Sequence, residues 1–145
     1  MKQVLAALIL LLLCPLLPAQ IGITEFLASN DKVLADVDGD SSDWIELSNL
    51  GAATDLGGWY LTDDASNLTK WQFPLPTVLN NGDYLVVFAS NKDRAVAGQE
   101  LHTNFKLKAD GEYLALVRPD GVSVEYEYAP AFPTQYTDVS YGIIY

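Results

Sequence analysis

From residue 21 onward, short stretches rich in Val, Ile, Tyr, Trp and Phe alternate with clusters of Gly, Asp, Asn and Pro. This alternation of apolar runs and turn formers is typical of β-strands joined by tight loops. Strands are predicted at residues 21–28, 44–48, 59–62, 70–73, 84–89, 112–118, 122–128 and 139–143. About eight short strands, with no stretch that has the period and length of an amphipathic helix, predict an all-β sandwich.

Two of these segments predict which faces of their strands are buried in the core. In residues 44–48 (WIELS), Ile45 and Leu47 fall on one face of the strand while polar positions alternate with them, so this strand is predicted to be half buried. Residues 84–89 (YLVVFA) show no such alternation after the first position, which indicates a central strand covered on both sides. The predicted core consists of Phe26, Ile45, Leu47, Trp59, Leu61, Trp71, Phe73, Val87, Leu114, Leu116 and Val139.

The first residues have the pattern of an export signal. Lys2 precedes an unbroken apolar run over residues 4–13, and residues 15–19 lead to the small residue Ala19. A membrane-spanning helix would need about 20 apolar residues, whereas Pro15 and Pro18 interrupt this apolar stretch before it reaches that length. We therefore predict a signal peptide over residues 1–19, a single domain over residues 20–145, and a secreted, periplasmic or cell-surface location with no membrane insertion after cleavage.

Removal of the predicted signal takes away the only cysteine, Cys14, and leaves a strongly acidic domain. The formal charge is −11 for the whole chain, and 7 basic residues against 19 acidic ones give −12 without Lys2. A surface of that sign repels phosphate backbones, so no nucleic acid partner is expected.

Seven segments, taken in their order along the chain, carry a family resemblance. They are residues 23–28 (ITEFLA), 36–49 (DVDGDSSDWIELSN), 56–64 (LGGWYLTDD), 70–73, 84–90, 101–107 and 138–142 (DVSYG). Together they resemble the lamin tail domain family, in the form found in secreted and cell-surface proteins of bacteria. The resemblance implies an immunoglobulin-like β-sandwich that serves as an accessory unit, and it implies little about chemistry. The chain ends three residues after Gly142, where such relatives continue, so we expect a domain truncated at its C-terminus or a fragment of a longer protein.

Catalytic motifs are sparse. His102 is the only histidine, and we interpret it as solvent-facing or as a hydrogen-bonded structural residue. Metalloprotease, Walker A and dinucleotide-binding motifs do not occur in the sequence. Paired carboxylates such as Asp63 and Asp64 leave one enzymatic alternative open, an exported hydrolase of the glycosidase or metal-assisted kind.

An aspartate-rich segment, residues 36–43 (DVDGDSSD), offers the hard oxygen ligands that Ca²⁺ uses in loops. Asp36, Asp38, Asp40 and Asp43 are the candidate ligands, although the segment departs from the EF-hand pattern and also fits a solvated Asp-Gly turn before a strand. No other cofactor is predicted.

Trp44, whose strand face also carries polar residues, is a candidate ligand contact if its ring is exposed. The function predicted from the sequence is a non-catalytic binding or structural module that contacts protein or polysaccharide. The alternative is the paired-acid hydrolase, which a cleft uniting residues 36–43 with other acids or with His102 would favour.

Overall fold

A computed structural model describes residues 21–143, so the predicted signal peptide lies outside the described residues. The described chain is all-β, as predicted. Its strands are β1 (Ile21–Leu27), β2 (Asp43–Asn49), β3 (Thr54–Asp55), β4 (Tyr60–Thr62), β5 (Trp71–Gln72), β6 (Val78–Leu79), β7 (Tyr84–Ala89), β8 (Leu101–His102), β9 (Leu114–Val117), β10 (Val124–Tyr128) and β11 (Tyr141–Gly142). Within residues 21–143, no helix is long and apolar enough to cross a membrane.

Two main sheets form the sandwich. One has five strands in the order β11-β1-β2-β7-β8, and the other has four in the order β10-β9-β4-β5, while β3 and β6 form a small separate ribbon. All these pairings are antiparallel except β7 with β8, which run parallel. The central strands β1, β2 and β7 place side chains of the candidate functional site opposite one another across the five-stranded sheet.

The core lies between the two main sheets and follows the predicted alternation. In β2, Ile45 and Leu47 are fully buried, and they lie opposite Val87 and Leu85 of β7. The buried status predicted for most core positions is confirmed. Those positions are Phe26, Ile45, Leu47, Leu61, Trp71, Phe73, Val87, Leu114 and Leu116, whereas Trp59 is partly buried against them.

Three expectations about the strands were wrong in detail. Val139 is 55% exposed because the last strand covers only Tyr141–Gly142, so Val139 lies in the turn before it. The strand β7 is covered on both faces only in its second half, since Tyr84 is 65% exposed. The predicted strands 112–118 and 122–128 leave three residues between them, whereas the loop between β9 and β10 runs from 118 to 123.

Candidate functional site

The predicted calcium loop is organised around Asp36, whose side chain is fully buried. Its Oδ1 accepts hydrogen bonds from the backbone N–H groups of Asp38 and Asp40, each at 3.0 Å. Its backbone carbonyl accepts the N–H of Gly39 at 2.9 Å, and Gly39 has the positive φ of 85° that a tight turn requires. The aspartate side chain therefore shapes the loop from inside.

Three carboxylates of this loop converge on one ammonium group. Lys92 Nζ lies 2.5 Å from Asp36 Oδ2, 2.8 Å from Asp38 Oδ2 and 2.9 Å from Asp40 Oδ2. Arg94 Nη1 adds a second cation 2.7 Å from Asp38 Oδ2. Burial by itself would raise the pKa of Asp36, but the hydrogen bonds from Lys92, the Asp40 backbone and Ser42 lower that pKa to about 2.

The structure thus brings three of the four predicted metal ligands together and leaves the fourth outside. Asp43 instead receives the backbone N–H of Asn30 at 3.4 Å, and burial, with the negative charge of Glu112 adding to it, raises its pKa. The position that a Ca²⁺ ion would take among the three carboxylates is the position of the Lys92 ammonium group. Calcium binding here stays a prediction, and it requires Lys92 to move.

Trp44 is buried rather than open to a ligand, with 8% of its surface exposed. It lies on the face of the five-stranded sheet that points away from the core, where it packs with Leu27, Phe88 and Val86. The register of the neighbouring strands aligns these side chains across the sheet, because Leu27 of β1 is opposite Trp44 and Trp44 is opposite Phe88 of β7. Its indole N–H has no hydrogen-bond partner among the described residues. Trp44 contributes a second, smaller apolar cluster and not an aromatic platform.

Of the two interpretations given for His102, solvent-facing or hydrogen-bonded and structural, the structure shows the second, and the residue is fully buried. Its Nδ1 is 2.9 Å from Ser90 Oγ, and its Nε2 is 3.0 Å from Glu100 Oε1. A serine, an imidazole and a carboxylate in series have the components of a hydrolase triad. Here Ser90 is 7% exposed and the ring is stacked on Phe88, so neither the hydroxyl nor the imidazole faces solvent.

The side chains of Ser90, His102 and Glu100, here called the His102 network, instead tie residues 36–43, here called the acidic loop, to the sheet. Glu100 Oε1, besides contacting the imidazole, accepts the backbone N–H of Val37 at 2.9 Å. Arg94 pairs with His102 through two backbone hydrogen bonds of 3.0 Å, one in each direction. Lys92, Arg94 and Glu100 therefore fasten the loop from one adjoining segment, residues 90–102.

A different feature provides the more open site, a groove of about 650 Å³ on the outer face of the five-stranded sheet, here called the outer groove. Its lining residues are Thr24, Glu25, Glu46, Leu50, Tyr84, Gly142 and Ile143. Glu25 of β1 and Glu46 of β2 are directly opposite each other across the strands. Thr24 Oγ1 donates a hydrogen bond of 2.7 Å to Glu46 Oε1.

The sequence did not identify the outer groove, although part of the signal was present. Alternation in residues 44–48 places Glu46 on the outward face, on the opposite side from Ile45 and Leu47. The register of β1 shifts between Ile23 and Glu25, and this irregularity brings Glu25 opposite Glu46. A single sequence does not reveal such a shift, so the pairing of the two glutamates could not be derived.

Comparison with known families identifies a family for most of the chain. The sequence model of the family described as Lamin Tail Domain matches residues 18–129, which is most of the chain. No curated protein matches the chain in sequence. The matched range contains the acidic loop, the His102 network and both glutamates of the outer groove.

Proposed function

Because this chain belongs to the lamin tail domain family, an immunoglobulin-like and generally non-enzymatic family, we propose that it is a non-catalytic interaction module exported from a bacterial cell. Its ligand is a protein or a polysaccharide, bound on the outer face of the five-stranded sheet. The single observation that carries this proposal is the outer groove, which is open to solvent and combines an exposed tyrosine, Tyr84, with two carboxylates.

The arrangement of the other candidate groups supports a binding role over catalysis. Ser90 and His102 are buried, and Lys92 neutralises part of the charge of the acidic loop. A general base or nucleophile must reach its substrate within hydrogen-bond distance, which a buried group does not do without rearrangement. The excess of acidic residues also supports a partner other than nucleic acid.

Export of the protein rests on the leader pattern, and it makes a specific prediction about the N-terminus. The apolar run of residues 4–13 ends before the small residue Ala19, so the exported form is expected to begin at or close to Gln20. Intact-mass spectrometry of protein recovered from the periplasm or the medium measures this directly. A membrane-extracted chain that retains residues 1–19 would contradict the prediction.

The binding role is tested by mapping ligands onto the folded protein. Two-dimensional ¹⁵N–¹H NMR spectra are recorded while capped peptides and soluble oligosaccharides, such as cello- and chito-hexaose, are added separately. We expect at least one probe to shift amides lining the outer groove, among them Glu25, Glu46 and Tyr84, with the probe remaining chemically intact. The exposed Val33 and Val96, which do not line the groove, serve as reference amides that should not move.

Hydrolysis is the outcome that would overturn this proposal. Two carboxylates across neighbouring strands have Cβ atoms about 5 Å apart, and retaining glycosidases hold their carboxyl groups about 5 Å apart. Release of shorter oligosaccharides that stops in the Glu25→Gln and Glu46→Gln variants would assign the paired-acid hydrolase instead. Shifts confined to residues outside the outer groove would also reject the proposed binding face.

A further inference from the structure

The outer groove contains an uncompensated pair of like charges. Glu25 and Glu46 are direct cross-strand neighbours, an arrangement that destabilises a sheet when both side chains carry the same charge. Within residues 21–143, no lysine, arginine or histidine side chain forms an ion pair with either carboxylate. The hydroxyl of Thr24 is the donor within hydrogen-bond distance of Glu46. The groove therefore has negative charge that the folded domain leaves unneutralised.

The cations of the described domain lie next to other carboxylates, not next to Glu25 or Glu46. Of the seven lysines and arginines in residues 21–143, six form ion pairs with other carboxylates. The seventh, Lys106, acts electrostatically on Asp43. A second copy of this chain carries the same strong negative net charge, so it is a poor source of a positive group for the groove. The complementary charge therefore has to come from outside the described residues.

The remaining lining residues match an organic cation better than a metal ion. Leu50 is 49% exposed and Tyr84 is 65% exposed beside the carboxylates, and Ile143 adds an aliphatic side chain. Long basic side chains lay their methylene stems on such apolar surface, and a tyrosine ring attracts a cation through its face. Calcium takes six to eight oxygen ligands, whereas the groove offers two carboxylates and a hydroxyl that already donates to one of them.

The edge of the sheet leaves room for a chain to deliver that side chain. Gly142 of the edge strand β11 is opposite Glu25, and a Cβ placed on it would lie 3.2 Å from Glu25 Cγ. Because glycine has no side chain, nothing on β11 separates the Glu25 carboxylate from the sheet edge in this row. An extended segment that runs beside β11 would lie two strand spacings, about 10 Å, from β1. The side chain of a lysine or arginine on that segment and the side chain of Glu25 together span this distance.

The geometry points to a lysine or arginine side chain, carried by an extended segment of a partner protein, as the ligand of the outer groove. This inference rests on the proposed function and names its partner class. The ammonium or guanidinium group bridges Glu25 and Glu46 with the Tyr84 ring on its far side, and its aliphatic stem crosses Gly142 and lies against Ile143. Occupation relieves the repulsion between the two glutamates, so binding is driven by charge and weakens as salt screens it.

The test uses a capped hexapeptide of alternating threonine and lysine, with the alternating threonine and glutamine hexapeptide as the neutral probe. Affinity is measured by NMR titration of the whole protein at low and high salt. We expect the lysine peptide to shift the groove amides and the glutamine peptide to leave them unchanged. In the Glu25→Gln/Glu46→Gln variant, the dissociation constant of the lysine peptide should rise about tenfold or more.

A matched control separates a specific site from general attraction to an acidic protein. Asp31 and Asp110 are exposed and do not line the groove, so the Asp31→Asn/Asp110→Asn variant loses the same two charges elsewhere. Its affinity for the lysine peptide should change by less than about twofold, since distant exposed charges are screened. Equal weakening in both double variants would overturn the inference. Unchanged spectra outside the substituted sites show that each variant folds.

Other outcomes distinguish this inference from the proposed function. If the neutral peptide or an oligosaccharide shifts the groove amides as strongly as the lysine peptide, the binding face stands and the cationic partner is rejected. Saturable displacement of the lysine peptide by Ca²⁺ from the groove would assign a metal site there and also reject it. If no probe moves the groove amides, both the inference and the proposed binding face fail.

Discussion

Replacing Leu116 with alanine is expected to lower the free energy of unfolding by about 2–5 kcal/mol. Leu116 is fully buried in the middle of β9, where it is opposite Leu61 of β4 and Tyr126 of β10. Truncation removes apolar contacts and leaves a cavity in a region held by strands on both sides, so the surroundings relax only partly. Urea unfolding followed by tryptophan fluorescence measures the change as a lower midpoint with a similar slope.

Val122→Ala is the matched control for that variant. Val122 is 72% exposed in the loop before β10, so its truncation removes little buried surface and should change stability by no more than about 0.5 kcal/mol. A Leu116→Ala midpoint equal to that of the wild type would contradict the position of β9 between β4 and β10. An altered slope without a shifted midpoint would instead indicate a change in the unfolded state.

Alternation along the chain was enough to predict the inward positions of the long strands. In β2, Ile45 and Leu47 are buried as expected, because a strand with one face on the core must alternate its side chains. Strands of two residues carry no such period. Thr54–Asp55, Val78–Leu79 and Leu101–His102 were missed, whereas Trp71–Gln72 and Tyr141–Gly142 lie inside longer apolar segments that were predicted as strands.

The candidate sites depended on contacts between distant parts of the chain. The aspartates of the acidic loop were predicted as a group because they are close in sequence, but Lys92 contacts Asp36 from 56 positions away. The outer groove likewise depends on the register between β1 and β2, which includes an irregularity. Trp44 shows a third reason, since an outward position in a strand is still buried when apolar neighbours such as Leu27 and Phe88 surround it.

Replacing Lys92 with methionine is expected to have the second large effect, a loss of about 2–3 kcal/mol. Removing one partner of a fully buried ion pair costs about 3–5 kcal/mol, and the loss here is smaller because Asp40 is largely exposed and Arg94 still pairs with Asp38. Asp36 remains buried with its charge and loses its cation. Thermal and urea unfolding at neutral pH measure the difference from the wild type.

The pH dependence of this loss follows from the pKa of Asp36. That pKa is lowered from 3.8 to about 2 in the folded protein, so the stability it contributes is present above pH 3.8 and disappears as the pH falls through 2. The gap between wild type and Lys92→Met should therefore shrink on acidification below about pH 4. Lys32→Met is the control, because Lys32 is 80% exposed and 3.7 Å from its partner Asp138, and its loss should be less than about 1 kcal/mol.

The same variant decides whether the acidic loop takes Ca²⁺. With the ammonium group removed, Asp36, Asp38 and Asp40 keep their oxygens close together and lose the cation that competes for them. We expect millimolar Ca²⁺ to recover part of the lost stability of Lys92→Met and to raise its melting temperature more than that of the wild type. Adding Asp38→Asn should abolish this recovery. A melting temperature of Lys92→Met that is the same in Ca²⁺ and in chelator would show that the loop is a lysine-held structural turn and not a calcium site.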